Sequence, residues 1–592
     1  MTSRWHWASV SFVALLSGLL GGCPLRSFEV DQNGVAGGSG GMAGGSGQSG
    51  GSPSLGGAGG QDGGFGAVSH PRATDDHYVI LQGEDLSVPA DRGLLANDSP
   101  LNLRVTAVVN TDTARPKAFD AELDFAEDGS FHFTPSARFF GSYRFSYTAM
   151  NLAQQTALGS VEVRVVPTDV ELDALVEGLG GYVLYGPPGS GLGRAVDRAF
   201  DVDGDGLRDI LIGAPAADDG AGAAFVVFGK QDLRPIELVS LPAVTKERRF
   251  ASLGAGPSDS LGVSVSGLGD WDVDGTPDLV LGANGGNGRA YVVSGIDVTG
   301  AVTLPTSRGY LLEGDTANLD VGRVVHGAGD VNGDGVPDAL VSASNLEYGW
   351  LHVLFGSAGR SGRATVTGVP GLHVRAALPG DGFPLAAVGV GDVDGDGVDE
   401  VLTSSDSSFV LLRGGIGYPP DVGQVGIDGT NGGWSSQRAA PGIAAVAELG
   451  DVNGDKVPDF GYCEGTASCR VVFGPPTTLA SGWLLSGFSK ATRKVLLAGG
   501  GDVDGDGFAD VLLSDDRAAY LVYGKRSGFS DANLAQLGTA GYSIHAAKGG
   551  TITAITMLGD TNADGLGDLA LADATADAGA GRVYVLLGVA AH

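Results

Sequence analysis

Sulfur and positive charge are both scarce in this chain. Its 592 residues hold three cysteines and four methionines, and 36 Lys and Arg stand against 69 Asp and Glu, a formal charge of −33. So acidic a balance argues against a nucleic-acid partner, which needs clustered Lys and Arg. The long apolar run Ala8–Leu20 is too short for a comfortable transmembrane helix. The nine histidines are scattered, and neither a nucleophile motif nor a zinc-ligand spacing occurs. No long segment shows helical periodicity, which excludes a helical array.

What the chain has in quantity is glycine, 102 residues, and one acidic loop repeated seven times with starts 51 to 69 residues apart. Positions 1, 3, 5 and 9 of the first four loops are Asp201, Asp203, Asp205, Asp209; Asp270, Asp272, Asp274, Asp278; Asp330, Asn332, Asp334, Asp338; and Asp392, Asp394, Asp396, Glu400. The last three are Asp451, Asn453, Asp455, Asp459; Asp502, Asp504, Asp506, Asp510; and Asp560, Asn562, Asp564, Asp568. Oxygens at this spacing converge on one hard cation, and a backbone carbonyl at position 7 supplies another. Ca2+ accepts six to eight oxygens at about 2.3–2.6 Å. Glycine at position 4 or 6 lets the chain fold tightly round the ion. Without a cation, carboxylates packed this closely repel one another. A single copy also reads as a solvated acidic turn; seven copies in register favour Ca2+. The loop carboxylates account for 25 of the 69 acidic residues, so much of the acidity is metal-site chemistry.

An EF-hand loop begins the same way but needs a bidentate Glu at position 12 and flanking helices. Position 12 here is Ile212, Leu281, Val341, Thr403, Tyr462, Leu513 and Leu571, and position 9 opens an apolar strand, as in Asp209-Ile-Leu-Ile-Gly213. The loop therefore joins two strands. Each unit reads as a strand before the loop (Val321–Val325) and one after it (Ala339–Ser342). A third strand ending in glycine follows (Val226–Gly229, Val353–Gly356, Val471–Gly474, Leu521–Gly524), then a fourth of Gly-aromatic-apolar type (Tyr310–Leu312, Trp483–Leu485, Tyr542–Ile544). A fixed period of short strands and Gly-rich turns indicates a β-propeller. After the seventh loop two strands remain, whereas Gly181-Tyr-Val-Leu184 has fourth-strand character and no unit of its own. An unpaired edge invites aggregation, so Tyr182–Leu184 is expected to pair with Val583–Leu587 and close the ring.

Leu211-Ile-Gly-Ala-Pro215, the Val-Val-Phe-Gly strands and the D-x-D-x-D-G-x-x-D loops resemble FG-GAP repeats. The resemblance covers roughly residues 176–592 and implies a seven-bladed, Ca2+-binding β-propeller like that of integrin α subunits and bacterial surface proteins. The fold class expected is all-β, this propeller preceded by a small sandwich. Loop 5 departs from the pattern with Lys456 in place of glycine, loop 7 with Ala563, and loop 4 with Glu400 at position 9.

Residues 1–23 read as a secretion signal: Arg4, the apolar run, then Leu20-Gly-Gly-Cys23, which resembles a lipobox whose cysteine is lipidated. An ordinary cleaved signal is the alternative. Pro24 rather than Asp after the cysteine resembles outer-membrane lipoproteins. Residues 24–71 are a Gly- and Ser-rich tether, and its stretch 33–68, almost all Gly, Ser, Ala and Gln, has an r.m.s. span on the order of 30–35 Å. Residues 72–168 form a β module of short alternating segments (Asp75–Tyr78, Leu94–Asp98, Asp128–Phe133, Phe140–Tyr147), similar to cadherin-like or Ig-like modules. That resemblance makes Asp76, Glu84 and Asp98 candidate calcium ligands; solvated turn residues are the other reading. Cys463 and Cys469 flank a hairpin, placing them as a cross-strand disulfide or as two buried thiols. A disulfide fits an oxidising, exported location.

These parts account for the whole chain and favour a non-catalytic surface lipoprotein, monomeric, that binds a protein or glycan through loops on a rigid scaffold. The alternative is a polysaccharide-active propeller lyase or hydrolase. That enzyme would need a central cluster of His, Tyr, Arg or paired carboxylates, whereas His326, His373 and His545 fall at strand positions suited to structural roles.

Overall fold

The computed structural model describes residues 3–5 and 70–590, apart from 111–120, 239–249, 255, 257, 299, 315–319, 345–347, 376–381, 406–408, 416–420, 427–442, 466–467, 477–481 and 489–494. The signal segment, Cys23 and the tether up to residue 69 lie outside the described residues, Ser3–Trp5 excepted.

Seven sheets follow one another among the described residues of the β-propeller. The first pairs Ala195–Phe200, Asp209–Ala214, Ala223–Val227 and Phe250–Gly254, antiparallel in chain order. The second uses Leu261–Gly269, Asp278–Ala283, Arg289–Val293 and Tyr310–Glu313; the third Val325–Gly329, Asp338–Ser344, Gly349–Leu354 and Gly371–Arg375. Three described strands make the fourth: Ala386–Gly391, Glu400–Ser404 and Phe409–Leu412. The fifth has Ile443–Gly450, Asp459–Glu464, Ser468–Val472 and Trp483–Ser486; the sixth Leu496–Gly501, Asp510–Ser514, Ala518–Val522 and Gly541–His545. The strand before the third loop is thus Val325–Gly329, not Val321–Val325. Val321 makes only an isolated bridge to Gly288 and is buried between sheets two and three.

The second strands are buried on both faces, as Asp209–Ala214 and Asp278–Ala283 show, because each sheet is sandwiched between two others. The seven first strands stand side by side in a closed circle, the first touching the seventh. Close approach at the axis demands glycine: a Cβ on Gly389 would lie 2.5 Å from the Ala328 carbonyl oxygen.

The seventh sheet holds Ala554–Gly559, Asp568–Asp573 and Arg582–Leu586, and its fourth strand comes from the other end of the chain. Gly181–Tyr185 lies antiparallel to Arg582–Leu586, pairing Tyr182 with Val585, Val183 with Tyr584 and Leu184 with Val583. Tyr182 and Leu184 pack with Ile210, Phe225, Ala570 and Val583, which joins the first sheet to the seventh.

Among the described residues six sheets carry a fifth, parallel strand supplied by the segment that precedes the fourth strand of the next sheet. Ala301–Thr303 thus borders the first sheet, Gly362–Thr365 the second, Asp421–Gly426 the third and Ala532–Asn533 the fifth. Asp169–Glu171 borders the sixth and Ile236–Glu237 the seventh, so the exchange continues across the ring closure.

Residues 76–166 form two small sheets. One orders Asp76–Leu81, Thr156–Val166, Gly141–Met150 and Arg104–Asn110; the other Leu86–Val88, Phe131–Thr134 and Glu122–Phe125, with Ser3–Trp5 at its edge. Phe133, Phe139, Phe145 and Tyr147 fill the space between them. Leu94–Asp98 is a turn rather than a strand, since Leu94 N–H bonds the Gly129 carbonyl at 2.9 Å and drops its side chain into that core. Phe140, Val166, Val170 and the short helix Leu172–Val176 pack onto Tyr542, Ile544 and Leu586, which seats this sandwich on sheets six and seven.

Candidate metal centres

Each first strand ends in a β-bulge directly before its acidic loop, with register shifts at Arg198/Phe200, Gly267/Gly269, Gly327/Gly329, Gly389/Gly391, Glu448/Gly450, Gly499/Gly501 and Met557/Gly559. The bulge re-aims the chain and delivers the first carboxylate to the turn.

The loops then organise themselves through three carboxylate roles. At position 1, Asp201 accepts N–H bonds from Gly204 (2.8 Å), Asp205 (3.0 Å) and Gly206 (2.9 Å), which wraps the turn round one side chain. The same set recurs at Asp330, Asp392, Asp451, Asp502 and Asp560. At Asp270 two of the bonds are present, from Asp274 and Gly275. At position 5, Asp205, Asp274, Asp334, Asp396, Asp455, Asp506 and Asp564 each accept the position 7 N–H at 2.9 to 3.0 Å.

Position 9 is a buried strut. Asp209, Asp278, Asp338, Glu400, Asp459, Asp510 and Asp568 are all 0 % exposed. Each accepts the position 2 N–H with one oxygen and, with the other, an N–H just after the third strand, from Gly229, Gly295, Gly356, Gly414, Gly474, Gly524 or Gly588. The glycine is required sterically: a Cβ on Gly356 would sit 2.3 Å from the Pro337 carbonyl oxygen. Burial pushes the Asp209, Asp278, Asp459 and Asp568 carboxyls up to about 7, Glu400 to about 7 and Asp338 to about 8. Facing loop carboxylates raise them further, and the two N–H bonds oppose the shift.

In four loops the structure brings positions 1, 3 and 9 together. Ligand oxygens of Asp201, Asp203 and Asp209 lie within 4.8 Å of one another, as do those of Asp270, Asp272 and Asp278; Asp392, Asp394 and Glu400; and Asp502, Asp504 and Asp510. Oxygens held at 2.3–2.6 Å from one ion are separated by at most about 5 Å, so these sets fit a hard cation. Asp394 Oδ1 is buried and finds no hydrogen-bond donor, the condition of a ligand atom. The position 5 carboxylates are not in these sets. Loops 3 and 5 keep the same hydrogen bonding with Asn332 and Asn453 accepting the position 5 N–H at 2.9 Å. Loop 7 differs: the Asn562 amide donates to both Asp568 oxygens at 3.4 Å, and the Thr561 hydroxyl donates to Asp568 as well.

Three loop residues other than glycine hold positive φ: Val273 at 59°, Lys456 at 73° and Ala563 at 65°. Lys456 N–H still bonds Asp451 at 2.8 Å, so loop 5 keeps its form at a backbone cost.

Successive loops are tied together. The position 8 N–H bonds the position 1 carbonyl of the preceding loop: Arg208 to Asp560, Asp399 to Asp330, Ala509 to Asp451 and Gly567 to Asp502, at 2.6 to 3.0 Å. Loops 2, 3 and 5 have Pro277, Pro337 and Pro458 there and cannot donate. The residue after the third-strand glycine adds a bond to the position 2 carbonyl, as Lys230 does to Thr561 and Ser357 to Trp271.

Elsewhere, all seven first strands line a central cavity of about 320 Å3. Across it Arg198 bonds both Glu448 oxygens, at 3.0 and 2.8 Å, while Asp197 meets Thr556 and His326 bonds the Gly327 carbonyl. This pairing joins residues 250 positions apart, and no local pattern in the sequence announces it. His373 meets His352 at 2.6 Å, and His545 pairs with Asp169 at 2.8 Å. Cys463 and Cys469 form a disulfide across the fifth sheet. In the sandwich, Asp76 and Asp98 are buried beside Tyr147, whose hydroxyl donates to Asp98; Glu84 is exposed, apart from them, and accepts Leu81 N–H at 3.2 Å.

Residues 69–164 match the family model described as a bacterial Ig domain, and residues 192–227 match the FG-GAP repeat. The second match spans the first three strands and the acidic loop of the first sheet. The chain is 29 % identical over 164 residues to integrin alpha-7 of Rattus norvegicus, covering 26 % of this chain and 13 % of that protein. It is 37 % identical over 97 residues to integrin alpha ina-1 of Caenorhabditis elegans, covering 16 % and 8 %. It is 33 % identical over 131 residues to integrin alpha pat-2 of the same organism, covering 22 % and 10 %. The chain thus spans about a tenth of the length of these relatives.

Proposed function

We propose that this chain, which carries an FG-GAP repeat and a bacterial Ig domain, is a Ca2+-binding surface lipoprotein. Its seven-bladed propeller, residues 176–592, acts as a non-catalytic binding or adhesion module for a protein or glycan. Residues 1–23 direct export, Cys23 carries the lipid, residues 24–71 are the tether and residues 72–168 the sandwich; the protein works as a monomer at the outer membrane. The observation that carries the reading is the convergence of carboxylate oxygens at positions 1, 3 and 9 in four loops. Similarity to integrin α chains supports adhesion as the type of function. In the central cavity Arg198 pairs with Glu448 and Asp197 meets Thr556, ties between first strands that support a structural use of these side chains.

Saturable, EGTA-sensitive retention of the ectodomain on glycans or cell-envelope material, without turnover of polysaccharides, is the expected result; turnover would overturn the non-catalytic assignment. A ligand held only by the folded state adds RT ln(1+[L]/Kd), about 2.7 kcal/mol at 100 Kd. Excess EGTA should therefore lower the melting temperature markedly, and an unchanged melting curve would remove Ca2+ from the account. Palmitate labelling should vanish in Cys23→Ser.

A further inference from the structure

Eight large apolar side chains are exposed among the described residues, and six of them, including Leu101, Leu152 and Leu158, belong to the sandwich. Single exposed leucines are ordinary, but a group at one end of a module is a mark of contact. Leu101, Leu152 and Leu158 are 83 %, 91 % and 70 % exposed. Backbone pairing puts them at one tip. Arg104 pairs with Met150 and Met150 with Thr156, so the turns holding Leu101 and Leu152 adjoin, and Leu158 lies two residues along the strand.

The chain enters the sandwich at this same tip. Arg72 pairs with Ser99 by bonds of 2.7 and 3.0 Å, two residues from Leu101, and His70 meets Gln155 at 3.5 Å in the turn that holds Leu152. From there Thr156–Val166 runs away from the tip, about 35 Å for its 11 residues at ~3.3 Å each, until Val166 joins the core of sheets six and seven. The propeller is therefore at the opposite end.

Basic groups are present at the tip: His70, Arg72 and Arg104 lie in segments 70–74 and 99–104, Arg104 beside Glu127 at 3.9 Å and Asp75 and Asp98 at the borders of these segments. Three exposed leucines beside the point where the chain comes from Cys23 suit a lipid surface, where acyl chains take the apolar groups and Arg72 can meet a headgroup phosphate.

We infer that this tip rests on the membrane surface and holds the propeller away from it. The inference takes from the anchored reading only that residue 23 lies at a membrane; residues 24–69 separate Cys23 from His70. With Cys463 and Cys469 joined, Cys23 is the remaining thiol, so the chain starting at residue 23 can be coupled through it to phosphatidylcholine vesicles bearing a maleimide lipid. Coupling to a soluble polyethylene glycol maleimide is the reference. Amide exchange at 99–103 and 151–158 should slow about tenfold on vesicles, equivalent to about 1.4 kcal/mol, while exchange in the propeller strands stays the same. The double variant Leu101→Ser/Leu152→Ser should lose the slowing. Equal exchange on vesicles and on the soluble polymer overturns the inference. So does slowing on the soluble polymer that grows with protein concentration, which would mean that a second copy covers the tip. Palmitate labelling tests the natural anchor separately, and its failure leaves the vesicle result standing.

Discussion

The ninth loop carboxylate acts on the fold before any cation is considered. Asp338 joins the Val331 N–H at one end of its loop to the Gly356 N–H beyond the third strand, and both bonds are buried. Removing it strands two donors at about 1–3 kcal/mol each. Asp338→Ala should therefore cost about 2–6 kcal/mol even in chelator, whereas exposed Asp334→Ala should cost most of its stability only when Ca2+ is present. Denaturant unfolding with and without EGTA separates the two. Strain is the other residue-scale effect. Val273 is β-branched, half exposed and held at φ 59°, a conformation left to glycine at the equivalent Gly204, Gly333, Gly395, Gly454 and Gly505. Left-handed backbone costs a non-glycine residue about 1–2 kcal/mol, offset in part by glycine's entropy. Val273→Gly should raise stability by about 1 kcal/mol, read as a higher denaturation midpoint; a lower midpoint would show that Val273 contributes packing.

At the scale of the element, each loop is a set of partly buried acids whose protons compete with the cation. Burial lifts the position 9 carboxyls above ordinary acidic values, to about 7 for Asp209 and about 8 for Asp338. For a group raised in the folded state, the stabilising protonated form is complete below the unfolded value, near 4, and is lost as pH climbs through 7 to 8. In chelator, stability should fall across that interval. With Ca2+ bound, the fall should be absent or reversed, because the ion needs the carboxylates ionised. Adding Ca2+ at pH 6 should release protons, measurable in weakly buffered solution, and release that is no greater than at pH 9 would contradict the assignment. The fifth strands act at this scale too. Ala301–Thr303 and Gly362–Thr365 shield a sheet edge that would otherwise recruit another chain, and bind each sheet to its neighbour.

Across the whole molecule the ring is closed from its two ends. Gly181–Tyr185 supplies the last strand of sheet seven, and Asp169–Glu171 borders sheet six. Arg198 and Glu448 add a tie through the middle. Deleting residues 1–167 should leave the propeller folded, while deleting 1–190 exposes Arg582–Leu586 and opens the core shared by Tyr182, Ile210 and Val583. The longer deletion should melt at a much lower temperature or aggregate; equal melting temperatures would refute closure as a stabilising feature. The sandwich is fixed to this ring by Val166, Val170 and Leu175, so it positions the propeller rather than swinging from it.

Loop spacing, strand order and the orphan fourth strand at Gly181 were legible in the sequence because each is local: a hydrogen-bond pattern completed within nine residues, or an apolar strand bounded by turns. Leu94–Asp98, read from sequence as part of the β module, is a turn because Gly129 holds it from across the sandwich, a partner outside any local pattern. Tertiary structure alone decided the fifth strands, some only two residues long, and the Arg198–Glu448 tie, which joins opposite sides of the ring. It also decided that position 9 is a buried strut. That role depends on an N–H brought back by the third strand, 14 to 20 residues later, at a distance no loop motif records.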